Sequence, residues 1–308
     1  MIHLYGSKEK NMTQPSQEIS VAIVNFSVKS GDKAANLKRI GEFVEEAAHQ
    51  GANLILFPEM SLTGYDYYID DSVKNEDKLE LAETIPGEAT DYISELTKQH
   101  NIYAVFGMPE RENVGSRIFN SAAVAGPEGF IGVYRKIHPY DKENIWCVKG
   151  DKPFIFHTAW GPIGIGICYD TYHFPELMRY YAWKGCRLYL NLTAVIRESV
   201  VKDAFHEGYL TYLKSGVLMN HIFIASSNLV GLDLKNTFGG GSILLGPQVV
   251  SHDTIAYSSC YGGDIDCDYE RMYVSKIDLT LAKRSIFENN PYTGRPDFRP
   301  DLYSNFND

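Results

Sequence analysis

The sequence predicts an α/β fold, a single domain built on two similar sheets. Three observations carry this. Short, wholly apolar strands follow amphipathic helices, as in Leu54–Phe57 (LILF), the composition of a strand buried on both faces. The chain repeats itself weakly: a helix followed by GANLILFPEMSLTG in the first half resembles a helix followed by KGCRLYLNLTA in the second. No linker-like segment separates the two halves.

The first predicted strand is Ile19–Phe26 (ISVAIVNF). A helix follows, capped by Ser30 or Asp32, with Leu37, Ile40, Phe43, Val44 and Ala47 as its apolar stripe and Gly51 at its end. Leu54–Phe57 then completes a βαβ unit and runs into Pro58-Glu59. Residues 70–83 are acidic and mixed, and read as a surface excursion. Thr90–His100 reads as a helix. Tyr103–Gly107, Ser121–Ala125 and Gly129–Tyr134 read as strands, the last ending in Arg135-Lys136-Ile137-His138-Pro139. Asp141–Lys152 reads as a polar loop.

In Gly161–Gly185, the apolar run Ile163, Ile165, Ile167 alternates with glycines and stops at Cys168. Pro175 then opens a helix carrying Leu177, Tyr180, Tyr181 and Trp183. This is a strand, a sharp turn and a helix, with a thiol at the carboxyl end of the strand, where open α/β folds place their chemistry. Beyond it are predicted strands at Arg187–Leu192, His221–Ser226, Ser242–Leu245 and Met272–Ile277, and a helix at about Val201–Met219.

With 308 residues the chain has ample length for a large core. A net charge of −10 argues against nucleic acid as partner, because a phosphate backbone needs a basic face. No polybasic segment offers a hold on an anionic membrane, and no apolar run approaches the ~20 residues that span a bilayer. Residues 1–17 lack a secretory apolar region and read as a flexible leader. The five cysteines are odd in number and lack a C-x-x-C pair, which fits a reducing, cytoplasmic location.

Three polar residues stand where strands stop: Glu59, Lys136 and Cys168. Each has an ordinary reading alone: a carboxylate at a helix N-terminus, a solvated edge lysine, a small core thiol. Together, with their strand tips at one rim, they form a self-consistent acyl-transfer site. A thiol with a pKa near ~8.5 is mostly protonated at neutral pH. A carboxylate takes its proton during attack, and an ammonium stabilises the resulting oxyanion. Other patterns lack their context. Gly161, Gly164 and Gly166 lie within a strand rather than after it, and Gly239–Gly241 precede a strand rather than a helix. Asp264, Asp266 and Asp268 lack calcium-loop spacing, and His138, His157 and His173 are scattered, so no metal site is expected.

GANLILFPEMSLTGY, YRKIHP and GIGICYDTYHFPE, in this order, resemble the nitrilase superfamily of carbon–nitrogen hydrolases. The resemblance covers roughly residues 18–280. It implies a four-layer αββα sandwich, two mixed sheets flanked by helices, that dimerises to an eight-layer core. The hydrolase domain is then 18–285, and 286–308 form an extended tail suited to a subunit interface. The resemblance implies Glu59 as general base, Lys136 as oxyanion stabiliser and Cys168 as nucleophile, with the backbone N–H of Tyr169 sharing the oxyanion. The family often carries a second glutamate after the lysine, and Glu143 matches it by spacing. No metal or organic cofactor is implied.

True nitrilases resembling this pattern usually follow the cysteine with Trp-Glu; here Tyr169-Asp170 points to the amidase and carbamoylase branches. Amino-acid carbamoylases tend to place arginines next, where this chain has Thr171, Tyr172 and His173 in a turn one residue longer than in most relatives. Tyr65 and Tyr172 are candidates for the wall of an acyl pocket, His173 for a substrate contact, and Arg197 for a carboxylate clamp. The expected activity is hydrolysis of a small linear amide. An N-carbamoyl compound, a nitrile, and a catalytically silent binding protein of the same fold are the alternatives.

Overall fold

The computed structural model describes residues 17–197, 202–248, 253–259 and 269–303. Residues 1–16 of the leader, the acidic triplet Asp264, Asp266 and Asp268 and the last five residues lie outside the described residues.

Burial on both faces shapes the first half. β1 (Glu18–Asn25) points Val21 and Ile23 into a core shared with the second sheet. Its intervening Ala22 and Val24 pack on α1 (Lys33–His49), whose first turn is capped by the Asp32 carboxylate accepting from the Ala35 N–H at 3.0 Å. β2 (Leu54–Leu56) lies parallel to β1. The one-turn α2 (Asp66–Ile69) and α3 (Asn75–Leu81) follow, and then α4 (Glu88–His100). β3 (Tyr103–Arg111) runs parallel to β2, and β4 (Ile118–Gly126) and β5 (Gly129–Arg135) continue antiparallel.

The second half opens with α5 (Glu143–Trp146), β6 (Ile155–Thr158) and β7 (Gly161–Ile167). The isoleucines of β7 fill the core between the sheets. Gly164 faces α7, and a Cβ added there would lie 2.5 Å from the Tyr181 ring, so only glycine lets that helix settle on the strand. After β7 come α6 (Tyr169–His173) and α7 (Pro175–Trp183). β8 (Leu188–Thr193), α8 (Lys202–Asn220), β9 (Phe223–Asn228), the ribbon β10 (Val230–Leu232) and β11 (Thr237–Gly239), β12 (Ile243–Pro247), β13 (Thr254–Ser259), β14 (Arg271–Asp278) and α9 (Pro300–Tyr303) complete the order.

Among the described residues, two six-stranded mixed sheets result, β14-β1-β2-β3-β4-β5 and β13-β12-β9-β8-β7-β6. They face each other through one apolar core, with α1 and α4 outside the first and α7 and α8 outside the second. This is the αββα sandwich. Among the described residues, no helix is long and apolar enough to cross a membrane.

Several expectations needed correction. The 70–83 excursion contains α3, which buries Lys78 and lets its carbonyl accept from the Tyr68 hydroxyl at 2.8 Å. α4 starts at Glu88, two residues before Thr90, because Thr90 is a capping residue: its Oγ1 accepts from the Gly87 N–H at 2.7 Å. The supposed loop at 141–152 contains α5. The strands β6, β10, β11 and β13 were not foreseen; they are short or lie at a sheet edge, where apolar alternation is weak. Apart from these corrections, Phe298 in the tail lies against Trp183 at 5.9 Å and Phe287 at 5.1 Å between ring centroids, contacts that leave the expected interface role of 286–308 open.

Candidate active site

The two sheets contribute different groups. Glu59 follows β2 and Lys136 follows β5, both from the first sheet, while Cys168 ends β7 of the second. The three meet between facing sheets rather than along one sheet's rim. Nor is β5 a buried strand; it is an edge strand with exposed Phe130 and Ile131.

Glu59 is aimed by β3. Gly107 there donates its N–H to the Pro58 carbonyl at 3.2 Å, and its own carbonyl accepts from the Leu62 N–H at 3.1 Å. A Cβ at Gly107 would lie 2.7 Å from the Glu59 Cα, so this close backbone approach requires glycine. Lys136 is placed by its N–H, which donates to the Asn120 carbonyl of β4 at 2.8 Å. Its Nζ lies 2.7 Å from Glu59 Oε1 and 2.8 Å from the Glu143 carboxylate. Asn120 Nδ2 donates to the same Glu59 oxygen at 2.7 Å. Lys136, Glu59, Glu143 and Asn120 are all fully buried. Glu59 Oε2 has no hydrogen-bond partner among the described residues. Glu143 is fixed from its own turn, accepting from the Tyr140 N–H at 2.8 Å, and it also accepts from the Tyr65 hydroxyl.

Cys168 adopts φ 49°, ψ −101°, a conformation that costs a non-glycine residue about 1–3 kcal/mol. The surroundings hold it there. Its N–H donates to the Leu192 carbonyl and its carbonyl accepts from the Thr171 N–H, both at 2.8 Å. The buried Asp170 carboxylate accepts from the Ile167 N–H at 3.0 Å, the Tyr134 hydroxyl at 2.7 Å and the His138 N–H at 2.9 Å. Asp170 thereby ties the Lys136 segment to the cysteine turn. The thiol also bonds the Thr193 hydroxyl.

The electrostatics follow from burial. Loss of water pushes the Glu59 carboxyl up to about 7, with the Lys136 ammonium pulling it back, Glu143 pushing it further, and Asn120 helping the anion. Burial alone would lower the Lys136 pKa, but Glu143 and Glu59 outweigh it and hold the ammonium well above its ordinary value. Burial, reinforced by Glu59, raises the Cys168 thiol far above the usual range. The Cys168 thiol is therefore held neutral beside an ionisable carboxylate.

The other sequence candidates occupy distinct places. Tyr172 donates its hydroxyl to Thr193 Oγ1 at 2.9 Å and accepts from Asn191 Nδ2 at 3.0 Å, next to the cysteine. Tyr169 packs on Tyr140 at 5.0 Å and His173 at 4.8 Å between centroids, and His173 is exposed. Arg197 is half-buried, its backbone held beside β11 by an N–H bond to the Thr237 carbonyl at 2.8 Å. Sequence reasoning passed over Asn120 and Thr193. The available signal was a polar residue within or at the end of a mostly apolar strand, shared with Ser121 in β4 and Asn191 in β8.

Residues 20–251 match the Carbon-nitrogen hydrolase family. The chain belongs to the carbon–nitrogen hydrolase family. An omega-amidase from Danio rerio is 37% identical over 282 residues, 86% of this chain and 94% of the relative. A nitrilase from Pyrococcus abyssi is 29% identical over 267 residues, 86% of this chain and 92% of the relative. Among solved structures, an amidase from Nesterenkonia sp. AN1 superposes with a TM-score of 0.72 at 21% identity, covering 94% of this chain and 97% of that one. That structure shows the acetamide moiety of fluoroacetamide covalently added at its active-site cysteine. At this identity it establishes the shared fold. This carbon–nitrogen hydrolase is an enzyme that cleaves C–N bonds by hydrolysis. Among its described residues, no group of three or more His, Cys, Asp or Glu side chains is arranged to hold a metal ion.

Proposed function

We propose that this hydrolase cleaves a small linear amide through a thioester on Cys168. The observation that carries the reading is the inequality of the two Glu59 oxygens. Oε1 is held by Lys136 and Asn120, while Oε2 has no partner among the described residues. That leaves one basic oxygen free to take a proton, on a fully buried side chain.

As Cys168 Sγ attacks the amide carbon, its proton passes to Glu59. The Lys136 ammonium and the Tyr169 N–H hold the oxyanion. Glu59 then gives the proton to the departing nitrogen, the C–N bond breaks, and ammonia or an amine leaves. Water, deprotonated by Glu59, attacks the thioester, and Glu59 returns the proton to sulfur. The carboxylic acid departs and the thiol is restored. Glu143 keeps Lys136 aligned by taking its second hydrogen bond. The line of aromatic contacts from Tyr140 through Tyr169 and His173 to Tyr212 flanks the approach, and Tyr65 and Tyr172 border the acyl group. Similarity to omega-amidases favours a terminal amide whose far end is an acid, and Arg197 is the candidate grip for that carboxylate. Tyr169-Asp170 after the cysteine favours amides over nitriles.

Intact-mass spectrometry after exposure to a mixed library of amides, ω-amides and carbamoyl amines is the direct test. The expected result is an added acyl mass on Cys168 and ammonia in solution. No adduct from any amide, with one formed from nitriles alone, would transfer the protein to nitrilase chemistry. The base also sets a pH dependence. Glu59 must be ionised to accept the proton, so kcat/KM should fall about tenfold per pH unit below about 7. A rate flat down to pH 5 would remove Glu59 as base.

We also propose a cytoplasmic homodimer, with the exposed Tyr212, Leu218 and Met219 of α8 covered by a second copy. Sedimentation as a monomer at micromolar concentration would contradict it.

A further inference from the structure

Asn120 stands in β4 between Phe119 and Ser121 and is fully buried. Its side-chain amide donates to Glu59 Oε1 at 2.7 Å and reaches Glu143 Oε1 at 3.4 Å. Its main-chain carbonyl accepts from the Lys136 N–H at 2.8 Å, and its N–H donates to Cys147 Sγ at 3.3 Å. One residue thus touches both carboxylates and the backbone of the ammonium between them. Its own Oδ1 has no partner among the described residues. A buried amide with an unsatisfied oxygen is a poor stabiliser; it is explained by what its nitrogen does.

We propose that Asn120 is a positioning residue for the hydrolysis: its amide pins Glu59 Oε1, so that Oε2 is the oxygen turned toward the thiol and substrate, and it holds Glu59 in the anionic form. This rests on the reading of Glu59 as general base. The titratable groups facing Glu59 are Lys136 from the end of β5, Glu143 from α5, Tyr65 from the segment after β2, and the thiols of Cys168 and Cys147. Of these only Lys136 is cationic. A second cation would quench the base and compete with Lys136 for the oxyanion. A neutral amide donor favours the carboxylate without either cost.

The test compares wild type, Asn120→Leu and Asn120→Asp by the pH profile of kcat/KM, and by infrared titration of the Glu59 carboxyl with Glu59→Gln as the blank. For Asn120→Leu, the acid limb and the infrared midpoint should both move up by about one pH unit, the size of one lost charge-assisted hydrogen bond. At pH 7, kcat should fall about fivefold, approaching tenfold at lower pH, with KM little changed. Asn120→Asp keeps the shape, loses the donor and adds a charge, so its midpoint should rise further. It also serves if the leucine variant does not fold. An unmoved midpoint with activity lowered evenly at every pH would make Asn120 a packing residue and overturn the assignment. The infrared midpoint needs no turnover. Absence of an acyl adduct on the wild type would therefore sink the amidase reading alone, and an unshifted midpoint would sink Asn120 alone.

Discussion

Cys168→Ala is expected to lower kcat/KM for an amide that wild type hydrolyses by about 10⁵-fold or more, and to leave no adduct in the intact mass. The size follows from the division of labour. Lys136, Glu59 and Glu143 stay in place in this variant, because their contacts are with one another and with Asn120. What disappears is the sulfur that the proposed mechanism bonds to carbon. The fold should survive nearly unchanged. Alanine carries the same Cβ at φ 49°, and the turn is held by backbone bonds and by Asp170 rather than by sulfur. A urea midpoint equivalent to within about 1 kcal/mol is expected. Cys186→Ala is the companion control. That thiol is buried in the core just after α7, so the Cys168 adduct should persist when it is removed. Ammonia release undiminished in Cys168→Ala would sink the mechanism.

The parts of this site legible in the sequence are those that a repeating pattern marks. Cys168 stands out because glycines and isoleucines alternate up to it and a proline-headed helix follows; the packing of Tyr181 against Gly164 shows why that pattern exists. Glu59 stands out because β2 is wholly apolar and stops beside it. Glu143 was reachable only by resemblance, since the turn that carries it has four residues and no apolar stripe. Asn120 was invisible for a different reason. Its meaning comes from pairing across β4 and β5, which sets it beside Lys136, and from facing Glu59, 61 residues earlier in the chain. A linear pattern cannot carry either relation. The same holds for the division of the site between two sheets: strand ends can be read locally, but which sheet each strand joins is decided by pairing.

Lys136→Met should be the more damaging of the two changes to stability, and should also lower the rate. The ammonium stands between two carboxylates, all three with side chains fully buried. Methionine matches its length but removes the charge, leaving Glu59 and Glu143 facing each other without water. Removing one partner of a buried ion pair typically costs about 3–5 kcal/mol, because the remaining charge is uncompensated. The cost should depend on pH, with a definite sign. In wild type, the raised Lys136 pKa means its contribution is fully present below about 10.5, so it is constant between pH 5 and 8. In the variant, Glu59 loses the ammonium that pulls its pKa down, and the folded state tolerates it only as the neutral acid. The stability so gained is present below the unfolded pKa near ~4.5 and is lost as pH rises through the folded value. The gap between wild type and variant should therefore be small near pH 5 and grow toward pH 8, read as diverging urea midpoints. Activity should fall by about 10³-fold or more at every pH, since oxyanion stabilisation is lost even where Glu59 is ionised. A gap that stayed constant with pH would mean that Lys136 is held by packing, and that the carboxylates do not depend on its charge.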